Sequence, residues 1–152
     1  MGTTESYTRY GCAGAVAEEV AWVGLGVGLA RGVTCADGLA ARGPVLWIDV
    51  VGTDPAADVV DVEPGCVAPA AVPGWVTQRL TAHPGALAII YTTIGEWATV
   101  RAEIAGLPAT MRAQVRWWIA DPTGYAHVVP GSDATQWYWG SSYDISTATP
   151  RL

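Results

Sequence analysis

Short apolar runs, separated by glycine and proline, dominate the pattern of the chain. Runs of this length, bounded by turn residues, are typical of buried strands, and five are predicted: 20–28, 44–51, 57–63, 87–92 and 115–120. Two intervening segments have helical spacing or helical flanks: 75–83 and 96–105. The turn-rich chain after Pro122 is predicted to hold short strands at 126–129, 134–139 and 143–146.

Strand and helix alternate through the middle of the chain, and this rhythm is typical of parallel βα units. The predicted strands are apolar on both faces, as expected when helices cover a parallel sheet. We therefore predict an α/β fold. The length of 152 residues suits a single domain spanning 1–152.

Composition and charge exclude several classes of protein. Half of the residues are hydrophobic (51%) and only 14% are charged, which excludes intrinsic disorder. The net charge is −6, and the eight basic residues are scattered arginines. Because binding to nucleic acid needs a basic patch, we predict no nucleic-acid partner, and a neutral ligand such as a glycan fits better.

The cysteines and the N-terminal part of the chain carry no signature of a metal site, an export signal or a membrane span. Cys12, Cys35 and Cys66 form no CxxC pair, so we predict free buried thiols and neither a metal nor a cofactor. The first residues lack the basic and apolar regions of a signal peptide. The most apolar stretch, 20–30, is too short to span a bilayer, so we predict no membrane insertion.

Asp61 and Glu63 form the motif with the clearest chemical meaning. They lie two residues apart near the end of a predicted strand, so they share one face, and Pro64 and Gly65 follow as a turn. Ligands of parallel α/β folds bind at the carboxyl ends of strands, and paired carboxylates serve as acid and base in glycoside hydrolysis. The alternative interpretation is that both acids merely solvate a strand end.

The segment 61–65 (DVEPG) resembles the strand-end DxE motif of glycoside hydrolase family 25, the lysozyme-type muramidases. It is closer still to glycoside-hydrolase-like domains of actinobacteria and their phages. Further motifs of that branch are matched in order between residues 44 and 147: 72–76, 89–93, 118–124 with 126–127, 135–137 and 144–146. The resemblance implies a compact, irregular (β/α) TIM-barrel-like domain with short or missing helices, because an ideal barrel needs roughly 250 residues.

The resemblance also implies roles for individual residues. Glu63 would be the general acid, and Asp61 would stabilise the oxocarbenium ion or position a nucleophile. A sugar cleft would be lined by Tyr91 and Trp118 and closed on its far side by Gln136 and Asp144. Aromatic faces suit sugars because the C–H faces of a sugar are apolar.

One departure from the family pattern concerns an acid on the first strand. The best local match is Tyr7-Thr8, which has no carboxylate. Asp49, on the face of Trp47, is a candidate to contribute a carboxylate to the cleft instead.

Two main functions follow from the resemblance and from this departure. The first is a peptidoglycan-directed hydrolase, a phage lysin or virion-associated wall hydrolase, whose partner is bacterial cell-wall glycan. The alternative is a catalytically degenerate barrel that serves as a virion structural or wall-binding domain and contacts other virion proteins or further copies of itself. A third option is a protein that binds sugar without cleaving it. Without a signal peptide, the protein would be made in the host cytoplasm and act at the wall or within a virion.

Overall fold

The computed structural model describes residues 17–23, 27–33, 45–139 and 144–152, and before Leu46 it describes the backbone alone. The strands are β1 (Ala17–Val23), β2 (Val27–Val33), β3 (Val45–Leu46), β4 (Ile48–Asp49), β5 (Val59–Val62), β6 (Ala88–Thr93), β7 (Val115–Ala120), β8 (Ala134–Trp139) and β9 (Asp144–Ala148). The helices are α1 (Val72–Ala82), which follows a 3₁₀ turn at Pro69–Ala71, α2 (Trp97–Ile104) and α3 (Ala109–Arg112).

The longest helix, α1, shows how the sequence sets its boundaries and its buried face. Pro73 lies in the first turn, where its missing N–H has no intrahelical partner to lose. The helix ends ahead of Pro84, which disfavours helical geometry in the residue before it. Its buried residues recur at a spacing of three and four, so one stripe faces the sheet: Val72, Trp75, Val76, Arg79 and Leu80.

Nine strands form one sheet in the order β3-β1-β2-β9-β8-β7-β6-β5-β4. Strands β4 to β8 are mutually parallel, whereas β1, β2, β3 and β9 join by antiparallel pairing. The α/β class is therefore confirmed. The eight parallel strands of an ideal TIM barrel are not formed in the described part of the chain, and the order is open, with β3 and β4 at its ends.

The two faces of the parallel strands pack into different clusters. Val60, Val62 and Ile90 point toward the helices and pack with Trp75 and Val100. On the opposite face lies a second cluster: Ile48, Val59, Ile89, Tyr91, Trp118, Ala120, Ala134 and Ala148. Asp61 lies two residues after Val59 and alternates with Val60 and Val62 along β5, so it shares the face of the second cluster. We call the edge at which β4 to β8 end the carboxyl edge.

Several boundaries differ from the sequence-based predictions. The predicted strand 20–28 is instead covered by two strands, β1 and β2, which pair as a hairpin. Two apolar arms joined by a glycine-rich segment look like one interrupted strand, which explains the error. Residues 126–129 form no strand, and α3 was not predicted. The predictions for 115–120 and 134–139 are confirmed with the same boundaries.

Candidate functional site

Three acidic residues lie at the carboxyl edge. Asp61 is the third residue of β5, Glu63 follows directly after the strand, and Glu96 lies in the turn after β6. Because β5 and β6 are parallel with Asp61 opposite Tyr91, the turn after β6 lies beside the end of β5. The backbone N–H of Glu96 donates to the carbonyl of Thr93 at 3.1 Å, which fixes this turn. Sequence reasoning missed Glu96, although its place after the next strand along the chain was a usable signal.

The carboxyl group of Asp61 has few interactions that would stabilise its negative charge. Its Oδ1 atom is buried and has no hydrogen-bond partner among the described residues. Burial and the nearby charge of Glu63 raise its pKa to about 7, and a hydrogen bond from the Cys66 thiol opposes the rise. Asp61 therefore exchanges its proton in the neutral range, unlike an ordinary aspartate.

Glu63 and Cys66 complete the surroundings of Asp61. Burial and the charge of Glu96 raise the pKa of Glu63. Gly65, at φ +95°, makes the turn that returns the chain, and the Cys66 N–H donates to the Glu63 carbonyl at 2.9 Å. Desolvation and the charge of Asp61 raise the pKa of the Cys66 thiol to about 11. Cys66 is a free thiol on the surface, which corrects the prediction of a buried one.

A row of side chains that begins at Asp61 crosses the sheet from β5 to β7. Asp61, Tyr91 and Trp118 are direct neighbours on β5, β6 and β7. The rings of Tyr91 and Trp118 meet edge to face, with centroids 5.3 Å apart. Trp118 is 1% exposed, and its Nε1 donates to Ser146 Oγ at 3.1 Å. Trp118 therefore packs against Tyr91 within the core. The family resemblance implied that Trp118 lines an open sugar cleft, and its burial corrects that expectation.

Gln136 and Asp144 reach the same edge from β8 and β9. Tyr91 Oη donates to Gln136 Oε1 at 2.6 Å, so Gln136 is tied to the row that contains Asp61. Strand β9 runs antiparallel to β8, and Asp144 at its start lies opposite Trp139 at the end of β8. The structure thus places Tyr91, Gln136 and Asp144 at the edge that carries the carboxylate pair.

Asp49 has a structural role that corrects its assignment to the cleft. It is 1% exposed, and both of its oxygens are engaged. Oδ1 accepts from the N–H groups of Val51 and Gly52 at 2.8 Å each, and Oδ2 accepts from Asp54 N at 2.7 Å and Trp75 Nε1 at 3.1 Å. Asp49 therefore shapes the loop after β4 and ties it to α1, and no oxygen remains for a ligand.

The end of β8 contains a β-bulge that changes which side chains share a face. Gln136 pairs with Ser146 and Tyr138 pairs with Ile145, so Trp137 is an extra residue. Strict alternation of side chains along β8 would place Gln136 and Trp139 on opposite faces of the sheet. Instead, Trp139 Nε1 donates to Gln136 Oε1 at 2.6 Å. Trp139 is thereby added to the site.

Exposed apolar side chains also lie at the carboxyl edge. In the described part of the chain, all the large apolar side chains that are exposed follow or end a parallel strand at the carboxyl edge: Val51 after β4, Ile94 after β6, Tyr125 after β7, and Tyr138 and Trp139 at the end of β8. The loop that carries Tyr125 is held by His127, whose ring nitrogens contact Tyr125 O at 2.8 Å and Asp121 Oδ2 at 2.9 Å.

Replacing Asp61 with asparagine is expected to stabilise the protein at alkaline pH. The rise of its pKa from 3.8 to about 7 means that the folded state resists ionising Asp61. The resulting loss of folding stability is absent below pH 4, grows between pH 4 and pH 7, and reaches its full size above pH 7. The full shift corresponds to about 4 kcal/mol, and the partial exposure of the carboxyl reduces our expectation to about 2 kcal/mol.

Urea unfolding at pH 4 and pH 8 measures this effect. Asp61→Asn should unfold at higher urea than wild type at pH 8 and at a similar concentration at pH 4. Glu103→Gln, which removes an exposed carboxyl on α2, is the matched control and should leave the unfolding urea concentration unchanged at both pH values. An equal change for Asp61→Asn at both pH values would contradict the expectation.

The described residues hold no group of three or more His, Cys, Asp or Glu that could bind a metal ion. None of the helices they form is long and apolar enough to cross a membrane. Compared with protein-family models, with curated proteins and with solved structures, the chain gives no match.

Proposed function

We propose that this protein is a glycoside hydrolase that cleaves the glycan of bacterial peptidoglycan, as a phage lysin or virion-associated wall enzyme. The observation that carries the proposal is the pair Asp61 and Glu63 at the carboxyl edge, both with raised pKa values and with Glu96 beside them. A raised pKa favours the protonated form of a carboxyl group, and that form is the one that protonates a leaving sugar oxygen. Its partner is the cell-wall glycan, so the protein acts at the wall or from a virion.

The roles of the two acids follow from their surroundings. Glu63 lies beyond the strand end and donates its proton to the glycosidic oxygen as the bond from that oxygen to the sugar carbon breaks; water then adds to the carbon and returns a proton to Glu63. Asp61 then faces a sugar ring on which positive charge develops, and that charge favours the ionised form of Asp61. Because Asp61 Oδ1 has no hydrogen-bond partner among the described residues, the interaction that its charge lacks in the free protein is supplied in the transition state.

The exposed aromatic side chains at the carboxyl edge support a sugar polymer as the substrate. Tyr125, in the loop after β7, is 78% exposed, and Trp139, at the end of β8, is 53% exposed; both lie at the carboxyl edge. Aromatic faces pack against the C–H faces of sugars, while carboxyl and amide groups bind their hydroxyls. A polymer that crosses the carboxyl edge would contact both aromatic rings and the acids.

A small barrel is the architecture that we propose for this enzyme. Strands β3 and β4 lie at the two ends of the strand order, yet only Trp47 separates them along the chain. β3 pairs with β1, and β4 pairs with β5. A single strand spanning both segments would bring the antiparallel half of the sheet beside β5, which supports the proposal.

The test is the release of new reducing ends from purified actinobacterial cell walls. The protein should generate reducing sugar ends and lower the turbidity of the suspension, and heat-denatured protein should do neither. Mass spectrometry of the released fragments identifies the bond cleaved. Release of peptides alone, or no release above the denatured control, would reject the proposal; binding to the walls without cleavage would favour a wall-binding domain.

A further inference from the structure

The loop that follows β7 presents Tyr125 at the surface of the carboxyl edge. Tyr125 is 78% exposed, more than any other large apolar side chain among the described residues. Gly124, at φ +79°, makes the turn before it, and the Gly124 N–H donates to the Trp137 carbonyl at 2.8 Å. The Asp121 N–H donates to the Gln136 carbonyl at 2.9 Å. The backbone before Tyr125 is therefore tied to β8, whereas the carbonyl of Tyr125 itself depends on a side chain.

That side chain is the imidazole of His127. Its Nδ1 atom lies 2.8 Å from the Tyr125 carbonyl oxygen, and its Nε2 atom lies 2.9 Å from Asp121 Oδ2. A carbonyl oxygen and an ionised carboxylate oxygen accept hydrogen bonds and do not donate them. Both ring nitrogens must therefore donate, and an imidazole has two N–H groups only when it is protonated. The two contacts together define a charged His127.

A neutral His127 supports only one of these two hydrogen bonds. The bond to the Asp121 carboxylate is the stronger one because its acceptor is charged, so Nε2 keeps its proton and Nδ1 loses its own. The lone pair of Nδ1 then faces the Tyr125 carbonyl oxygen and repels it. The Thr123 hydroxyl, which lies 3.3 Å from Nδ1 and 3.3 Å from that carbonyl, is then drawn to the ring. Loss of one proton thus removes the donors that hold Tyr125.

The surroundings of His127 favour its charged form. The hydrogen bond to the Tyr125 carbonyl and the Asp121 carboxylate raise the pKa of His127 from the ordinary 6.5, against the opposing effect of desolvation. Among the described residues, the charge that acts on His127 is that of Asp121, after β7, whereas β8 meets the loop through backbone carbonyls. Both hydrogen bonds are therefore complete below pH 6.5, and one is lost as the pH rises through the raised pKa.

We propose that His127 is a positioning residue whose charged form holds Tyr125 in place for binding glycan at the carboxyl edge, and whose neutral form releases it. Binding through the Tyr125 ring should therefore weaken as the solution becomes alkaline. The inference rests on the proposed function only in naming glycan as the ligand, because the hold of His127 on the loop does not involve the carboxylates.

Carbon relaxation of the full chain, measured by NMR between about pH 5 and about pH 9, tests the hold on the loop. The order parameter of the Tyr125 backbone should fall with the same midpoint as the titration of the His127 ring. Asp121→Asn should move this midpoint to lower pH, and His127→Gln should abolish the pH dependence. His83→Gln removes the other histidine, which is exposed at the end of α1, and should change neither result.

Binding to purified actinobacterial cell walls tests the ligand, with Glu63→Gln in every protein so that the walls are not cleaved. At about pH 6, Tyr125→Ala should weaken binding about tenfold and His127→Gln about threefold. At about pH 9, His127→Gln should bind like its parent, because His127 is then neutral. Without the Tyr125 ring, His127→Gln should have no further effect at either pH, since the two residues act as one unit.

The outcomes separate the inference from the function on which it rests. A Tyr125 backbone that is equally ordered on both sides of the His127 titration would overturn the inference and leave the proposed function standing. An equal loss for His127→Gln with and without the Tyr125 ring would also overturn it, because His127 would then act by another route. If no protein binds the walls, the inference is overturned as well, and the reducing-end assay decides the proposed function independently. Thermal melting of each variant verifies that the proteins compared are folded.

Discussion

Replacing Glu63 with glutamine is expected to lower the rate of glycan cleavage by about two to four orders of magnitude, the usual contribution of a general acid. Glutamine keeps the size of the side chain and its capacity to bind a hydroxyl, but it has no acidic proton to donate. The reducing-end assay on purified walls measures the loss. Glu103→Gln on α2 is the control and should cleave like wild type. A Glu63→Gln protein that keeps a tenth or more of the activity would remove Glu63 from the mechanism.

The pH dependence of cleavage gives a second test of Glu63 as the general acid. Glu63 must be protonated to act as an acid, and burial together with the charge of Glu96 raises its pKa. The alkaline fall in activity should therefore lie at higher pH than an ordinary glutamate would give. Glu96→Gln removes one cause of the rise, so the fall should move to lower pH. An unchanged profile in Glu96→Gln would show that Glu96 does not influence the acid.

Replacing Arg79 with alanine is expected to destabilise the fold by about 3–5 kcal/mol. Arg79 is buried on α1, and its guanidinium donates to the carbonyls of Ala57 and Leu87 and to the Asp58 carboxylate. These acceptors precede β5 and β6, so one side chain ties the helix to the starts of two central strands. Its loss leaves buried carbonyls without donors and Asp58 without its cation.

Urea unfolding of three arginine variants tests the role of Arg79. Arg79→Lys keeps the charge but loses the planar guanidinium group, so its free energy of unfolding should lie between those of wild type and Arg79→Ala. Arg101→Ala is the control, because Arg101 is exposed and stacks over the Trp97 ring at 5.3 Å, a contact worth about 0.5–1 kcal/mol. A loss for Arg79→Ala no larger than that for Arg101→Ala would contradict the interpretation.

The parts of the fold that the sequence predicted are those with local signals. β7 and β8 have the predicted boundaries because a short apolar run between turn residues is sufficient to define a strand. Asp61 and Glu63 were found because a carboxylate at the end of a parallel strand is itself a recognisable pattern. Tyr91 was placed near them by the family resemblance and not by a pattern within its own strand.

The parts that were missed depend on contacts between distant segments. The role of Asp49 is set by four N–H groups, three of them in the loop after β4 and one on Trp75 in α1, and nothing local to Asp49 shows that they converge. The hairpin of β1 and β2 was missed because its two arms are equally apolar. The contact between Trp139 and Gln136 was not predicted, because a bulge is a property of two paired strands and not of one sequence.

The bulge in β8 also bears on how such a site changes during evolution. A strand without the extra residue would place positions 136 and 139 on opposite faces, since side chains alternate strictly along a regular strand. Gaining or losing one codon near Trp137 would thus connect or disconnect the indole of Trp139 and the amide of Gln136 without altering either side chain. Variation in length at this position, as well as substitution, would therefore change the contacts of Gln136 at the carboxyl edge.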